Sequence, residues 1–202
     1  EKSLKLFPEF DRGWLFKAML MEQQGKVNDA ITGYKRFLDL AGGDEGVEKQ
    51  LIVLLFSQKR FKEASEYLRG LKADAPEYYF DLALTEFNSN NVNDALDSIN
   101  KALDKSPDFK KAKLLKIEIL LAKGKIKKVL DLVEEWIRKQ TNDNSVLKTV
   151  ALIKRAGVED KLIIKMLESV IDDGVENVGI LSLAADLSLD AEKYKKSLSF
   201  YK

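Results

Sequence analysis

The sequence predicts an all-α chain of antiparallel helix pairs stacked one after another, and three observations predict it. A short phrase returns at intervals of about 34 residues, the length of one helix–turn–helix unit. It reads Val27-Asn28-Asp29-Ala30, then Phe61-Lys62-Glu63-Ala64, then Val92-Asn93-Asp94-Ala95, with the alanines 34 and 31 residues apart. Each unit also holds two stretches of roughly 13 residues with apolar side chains at helical spacing. Between the two stretches sit Gly25, the Asn90-Asn91 pair and Gly124, all tolerant of positive φ.

With the alanine slot taken as position 20, repeats begin near Asp11, Glu45, Pro76, Lys110, Asp143 and Val178. The first has Trp14 at position 4, Ala18 at 8, Ala30 at 20 and Tyr34 at 24. The second places Glu48, Ile52, Ala64 and Leu68 in those slots, with Pro76 at position 32. The third has Tyr79, Ala83, Ala95 and Ile99, and Pro107 at position 32. In the fourth, Lys113 and Lys116 take packing positions 4 and 7, followed by Ile117, Val129 and Val133. The fifth has Val146, Val150, Leu162 and Met166. The sixth has Leu181, Ala185 and Ser197, the last preceded by Tyr194-Lys195-Lys196, and it breaks off just past Tyr201 at position 24. Small residues at 8 and 20 let the two helices of a pair approach closely, so Val129 and Leu162 predict pairs that are splayed or shifted. Gly42 and Gly174 read as helix terminators in the left-handed conformation.

A Trp-like residue at 4, small residues at 8 and 20, an aromatic at 24 and proline at 32 resemble the tetratricopeptide-repeat family. The resemblance covers essentially the whole chain, strongly in the first three repeats and more loosely in the last three. It implies a right-handed superhelical solenoid, with residues 11–202 as one tandem array and 1–10 as the remnant of a preceding repeat. Ser3, Leu4, Leu6 and Pro8 fit positions 27, 28, 30 and 32 of that repeat. Solenoids end in capping units with a polar outer face. Neither end reads as one, so the array is expected to continue in at least one direction.

The family resemblance also implies a groove lined by positions 2, 5, 9, 12 and 13 of each first helix. In the first repeat these are Arg12, Leu15, Met19, Glu22 and Gln23, and in the second Gly46, Lys49, Val53, Phe56 and Ser57. Phe80, Leu84 and Phe87 follow in the third repeat, and Leu114, Glu118 and Leu121 in the fourth. Among them Leu15, Met19, Val53, Phe56, Phe80, Leu84, Phe87, Leu114 and Leu121 read as an apolar stripe for an amphipathic helix or an extended apolar peptide. Positions 5 and 12 read equally as packing between neighbouring units. The family's carboxylate clamp needs Lys and Asn at 5 and 9, Asn at 6 of the next repeat, and Lys and Arg in the third. Those slots hold Leu15, Met19, Gln50, Glu77 and Asp81, so a chaperone-tail adaptor is rejected. Lys154 and Arg155, in the fifth repeat, read as solvated charges rather than as a site for an acidic group.

Composition narrows the chemistry. Apolar residues are 45% and charged residues 33%, a balance that supports a packed core. There is no Cys and no His, which removes disulfides, thiolate and imidazole zinc sites and every histidine base. Lys plus Arg, 34, nearly cancels Asp plus Glu, 33, which gives no net field for a nucleic acid backbone. The lysines from Lys110 to Lys128 read as a solvated basic edge, since no aromatics are interleaved as stacking platforms. No apolar run approaches the roughly 20 residues that span a bilayer. Lack of Cys suits the cytoplasm and the bacterial periplasm alike.

Neither the glycine-rich segment at residues 42–46 nor Asp172-Asp173-Gly174 has the spacing of a nucleotide or calcium loop. No cofactor, metal or catalytic residue is therefore assigned. The function expected is a non-enzymatic protein–protein interaction scaffold. Its alternatives are a self-assembling repeat protein and a recruiting module of a larger enzyme.

Overall fold

The structure, a computed structural model, describes residues 4, 6–71, 74–139, 145–190, 197 and 200. Among these are eleven helices and no strand. In chain order they are α1 (Asp11–Gln23), α2 (Val27–Ala41), α3 (Glu45–Ser57), α4 (Phe61–Gly70), α5 (Pro76–Asn88) and α6 (Val92–Lys105). They continue as α7 (Lys110–Ala122), α8 (Ile126–Lys139), α9 (Ser145–Arg155), α10 (Asp160–Asp172) and α11 (Val178–Asp190). The chain divides into two compact units, Glu1–Phe109 and Lys110–Lys202.

The helix starts follow local chemistry. Asp44, in extended backbone, caps α3 by accepting from the Val47 amide at 3.0 Å, which satisfies one orphan donor of the first turn. Pro76 opens α5 with its fixed φ, where its missing N–H costs nothing.

The turns inside the helix pairs are one motif used five times. Gly25, Lys59, Asn90, Gly124 and Gly157 all have positive φ, between 55° and 86°. In each turn the amide of the next residue reaches back five residues, as in Lys26 to Met21 at 2.8 Å, Asn91 to Glu86 at 2.8 Å and Val158 to Ile153 at 3.3 Å. This is the six-to-one bond of a Schellman motif, which satisfies a terminal carbonyl and reverses the chain. Gly42 and Gly174 also have left-handed φ, past the ends of α2 and α10.

Unit 1 contains α1 to α6. Ala18, Ala30, Ala64, Ala83 and Ala95 are all fully buried there. The helices of the first pair approach closely: a Cβ on Gly33 would lie 2.9 Å from the Ala18 Cβ. Tyr34, Phe37, Leu51, Leu54 and Leu55 fill the adjoining core. Trp14 donates from its indole N–H to the Pro8 carbonyl at 2.9 Å, tying the entry segment to α1.

Unit 2 contains α7 to α11. Val129 is fully buried in the alanine slot of α8, and the α7–α8 and α9–α10 pairs approach less closely than α1–α2 and α5–α6. A larger side chain at the crossing accounts for the wider spacing. The fifth repeat requires a correction. Leu162, assigned to the alanine slot, is 39% exposed, and Ile163 is the buried residue there. The cause is one extra residue in the turn: Val158 and Glu159 separate Gly157 from α10, where the other four turns have a single residue. Lys113 also departs from the solvated edge expected of it. It is buried, with its ammonium 5.3 Å from the centre of the Trp136 ring.

Asp143, Asn144, Tyr194-Lys195-Lys196 and Tyr201 lie outside the described residues, as does Ser3.

Candidate partner groove

In unit 1 the helices α1 and α3 form the two sides of an open pocket of about 560 Å³. Leu15, Met19, Glu22 and Gln23 line it from α1, one helical face at spacings of four, three and one. Gly46, Val47 and Gln50 line it from α3, and Tyr34 of α2 closes the base. The pocket thus brings together positions 5, 9, 12 and 13 of the first repeat with position 2 of the second.

Its apolar wall is partly open. Leu15 is half-buried against the core, while Met19 is 47% exposed. Val53 occupies the position in α3 that Met19 occupies in α1, and it is 60% exposed between buried Leu51, Ile52, Leu54 and Leu55. Val53 lies on the face of α3 that points away from that core.

The polar floor is organised around Glu22. The Tyr34 hydroxyl donates to its Oε2 at 2.6 Å, and the Gln50 amide donates to its Oε1. Burial pushes the Tyr34 phenol well above the ordinary tyrosine range, helped by the hydrogen bond and by the charge of Glu22. The phenol therefore stays a donor at every ordinary pH, and the glutamate is held in one orientation.

The remaining groove positions fall into two kinds. Lys49 is exposed and ion-paired with Glu45 at 2.6 Å, one turn back on its own helix. Phe56 is half-buried, packs against the core and meets Phe61 edge-on at 5.7 Å. Phe80 is half-buried against Phe109, with ring centres 5.2 Å apart, and Leu84 and Phe87 are half-buried on the same helix. In unit 2, Leu114 and Leu121 are half-buried and Glu118 is exposed on α7. Lys154 is paired with Asp160 at 3.3 Å and Asp190 at 3.2 Å, so its charge is engaged inside the unit.

A second polar hollow of about 400 Å³ lies beside α4, α5 and α6, and the sequence reading did not foresee it. Glu86 is nearly inaccessible there. It accepts from Arg69 at 2.7 Å and from the Ser98 hydroxyl at 2.7 Å, while Arg69 also reaches Asp94 at 2.8 Å. The sequence signal was a twelve-residue separation, since Glu22–Tyr34 and Glu86–Ser98 both join the first helix of a pair to the second. The acidic groups of this hollow are engaged by Arg69, whereas Glu22 in the α1–α3 pocket accepts only from neutral donors among the described residues.

Comparison with known proteins agrees with this architecture. Residues 85–197 match the model of the family described as the N-terminal TPR repeats region of Psidin. A rice protein, the DnaJ protein P58IPK homolog A of Oryza sativa subsp. japonica, is 29% identical over 144 residues. That match covers 70% of this chain and 26% of the rice protein, so the chain spans about a quarter of its relative's length. Among solved structures, MamA superposes with a TM-score of 0.60 at 16% identity, covering 82% of this chain and 92% of MamA. YrrB, described as a TPR protein with an unusual peptide-binding site, superposes at 0.56 and 14%, covering 95% of this chain and 96% of YrrB. A chain of the Naa15/Naa10 complex bound to HypK-THB superposes at 0.59 and 16%, covering all of this chain and 32% of that one. At such identities the structural likeness shows the fold alone.

Proposed function

Starting from the fact that this chain belongs to the family of the Psidin N-terminal TPR repeats region, we propose that it is a protein-interaction scaffold. Its groove, on this reading, takes a peptide or amphipathic helix along α1 and α3. One observation carries the proposal. The open pocket is built from the first-helix positions 5, 9, 12 and 13, and the apolar side chains Met19 and Val53 stand exposed at position 9 of two successive repeats. Apolar groups held open to water on a rigid helical frame suit an apolar partner better than they suit a monomer surface. The peptide-binding site named for YrrB belongs to that protein, and it makes the same use of this fold a reasonable first reading here.

Among the described residues no cluster of acidic side chains is placed to hold a metal, and no helix is long and apolar enough to cross a membrane. The proposed role is binding rather than catalysis.

The test is selection of a displayed peptide library on the immobilised chain, with Met19→Glu/Val53→Glu as the comparison. Both side chains are exposed, so the double variant is expected to keep its melting temperature while losing the enriched peptides. Phe80 and Phe87 are poorer probes, because substituting half-buried rings changes stability and binding together. Failure to enrich any apolar or amphipathic sequence would sink the proposal.

One further reading is favoured by a specific observation. Leu6, Phe7, Phe10, Phe16 and Leu20 are all exposed at the start of unit 1, and Phe16 and Leu20 lie one turn apart on α1. Such a face fits a second copy of the chain as well as it fits a preceding unit of the same array.

A further inference from the structure

We infer that Glu22 is a cation-selecting subsite of the α1–α3 groove, so that the preferred partner segment carries an Arg or Lys beside its apolar side chains. This inference rests on the groove reading above and deepens it.

Glu22 is the only charged side chain among the described residues lining the pocket. Its two hydrogen-bond donors, the Tyr34 hydroxyl and the Gln50 amide, are both neutral. No Lys or Arg forms an ion pair with it among the described residues, and the nearby Lys49 is already paired with Glu45. A carboxylate has about four lone-pair sites, and these two bonds occupy one on each oxygen. The remaining acceptor capacity and the whole negative charge are left for a ligand.

Consider what an incoming apolar segment does. Covering Leu15 and Met19 removes water from the pocket and strips solvent from Glu22. A charge buried without a partner is costly, whereas a guanidinium or ammonium delivered with the segment offsets that cost. Purely apolar segments are therefore penalised and basic ones are accepted, which is selectivity by rejection as much as by attraction. Because Tyr34 and Gln50 already hold the carboxylate in place, little side-chain order is lost when the cation arrives.

The other charged hollow in unit 1 does not offer this. There Glu86 and Asp94 both already accept from Arg69 within the fold.

The experiment uses fluorescein-labelled amphipathic helical peptides with Leu and Met on one face and one basic position beside it, each made with arginine there and again with citrulline, its neutral isostere. Binding is followed by anisotropy to the intact chain, to Glu22→Gln and to Val53→Glu. Wild-type protein should prefer arginine over citrulline by about tenfold or more, equivalent to about 1.4 kcal/mol. Glu22→Gln should bring the two affinities together while still binding the citrulline peptide. Equal affinity of the two peptides for the wild-type chain, with both lost in Val53→Glu, overturns the cation assignment and leaves the groove standing. Absence of binding by every peptide overturns the groove and this subsite with it. The arginine–citrulline comparison needs no variant, so it holds even if Glu22→Gln proves unstable.

Discussion

Among the described residues Lys59 is the one lysine in the left-handed region, with φ of 55°. It occupies the turn position that glycine fills three times and asparagine once, and the backbone there is set by the amide of Arg60 bonding to the Leu55 carbonyl at 2.9 Å. An L-residue with a Cβ pays on the order of 1 kcal/mol for that conformation, while glycine pays more in the unfolded chain. Lys59→Gly is expected to gain about 0.5 kcal/mol net, seen as a rise of a few degrees in thermal melting; a fall would show that the lysine side chain contributes elsewhere.

Glu63 supplies the clearest acid-sensitive link. Arg60 donates to it at 2.6 and 2.8 Å, and Lys35 of α2 pairs with it as well. These partners, Arg60 first, hold its carboxyl at about 2, below the ordinary 4.5. A depressed carboxyl stabilises the fold above its unfolded value and ceases to do so as pH falls through the folded one. The window is therefore pH 4.5 down to about 2. With screening at a partly exposed site, the stabilisation is about 1 kcal/mol. Urea titrations across that window should show a steeper acid loss for the native chain than for Glu63→Gln.

At the level of the helix pair, the α1–α2 crossing is set by the absence of a side chain. Gly33→Ala places a methyl 2.9 Å from Ala18 Cβ and 3.1 Å from its Cα, where backbone must move. The gain in helix propensity, about 1 kcal/mol, is smaller than the overpacking cost of about 1–3 kcal/mol. Net destabilisation is expected in denaturant melts, and stabilisation would mean that the helices separate freely.

The legibility of these elements varied for physical reasons. Alanine at the crossing and glycine or asparagine in the turns are steric requirements, so they show in the letters. Lys59 hides the same turn behind an unfavourable residue, and Lys113 hides a buried position because its ammonium sits over the face of the Trp136 ring. The extra turn residue before α10 left the spelling plausible and moved every side chain after it. For the groove, which helix positions line a pocket could be counted from the period. That Gln50 joins Tyr34 on Glu22 could not, since it comes from the next helix pair, 28 residues along the chain, and no spacing within one pair points to it.

For the whole molecule, the exposed aromatic and aliphatic side chains at the start of unit 1 carry a prediction about assembly. A face with Phe16 at 66% exposure and Phe7 at 67% is costly to leave in water at about 25 cal/mol per Å². Sedimentation across a hundredfold concentration range, roughly what separates weak from firm association, should show growth in size for the native chain. Phe16→Glu/Leu20→Glu should remain at constant size. Constant size for both would remove self-association as a reading and leave the face to a different neighbour.

The added residue between Gly157 and α10 also bears on how such chains are compared. One position corresponds to about 100° around a helix. Any superposition of the fifth unit onto the others by fixed spacing therefore turns Leu162 inward on paper while water actually meets it. Within the helix the phase is unchanged: Ile163 is the fourth residue of α10 as Ala30 is the fourth of α2, so units of this chain align by helix start and not by distance from the turn residue. The connecting turn, rather than the helix, is thus where this chain stores its phase.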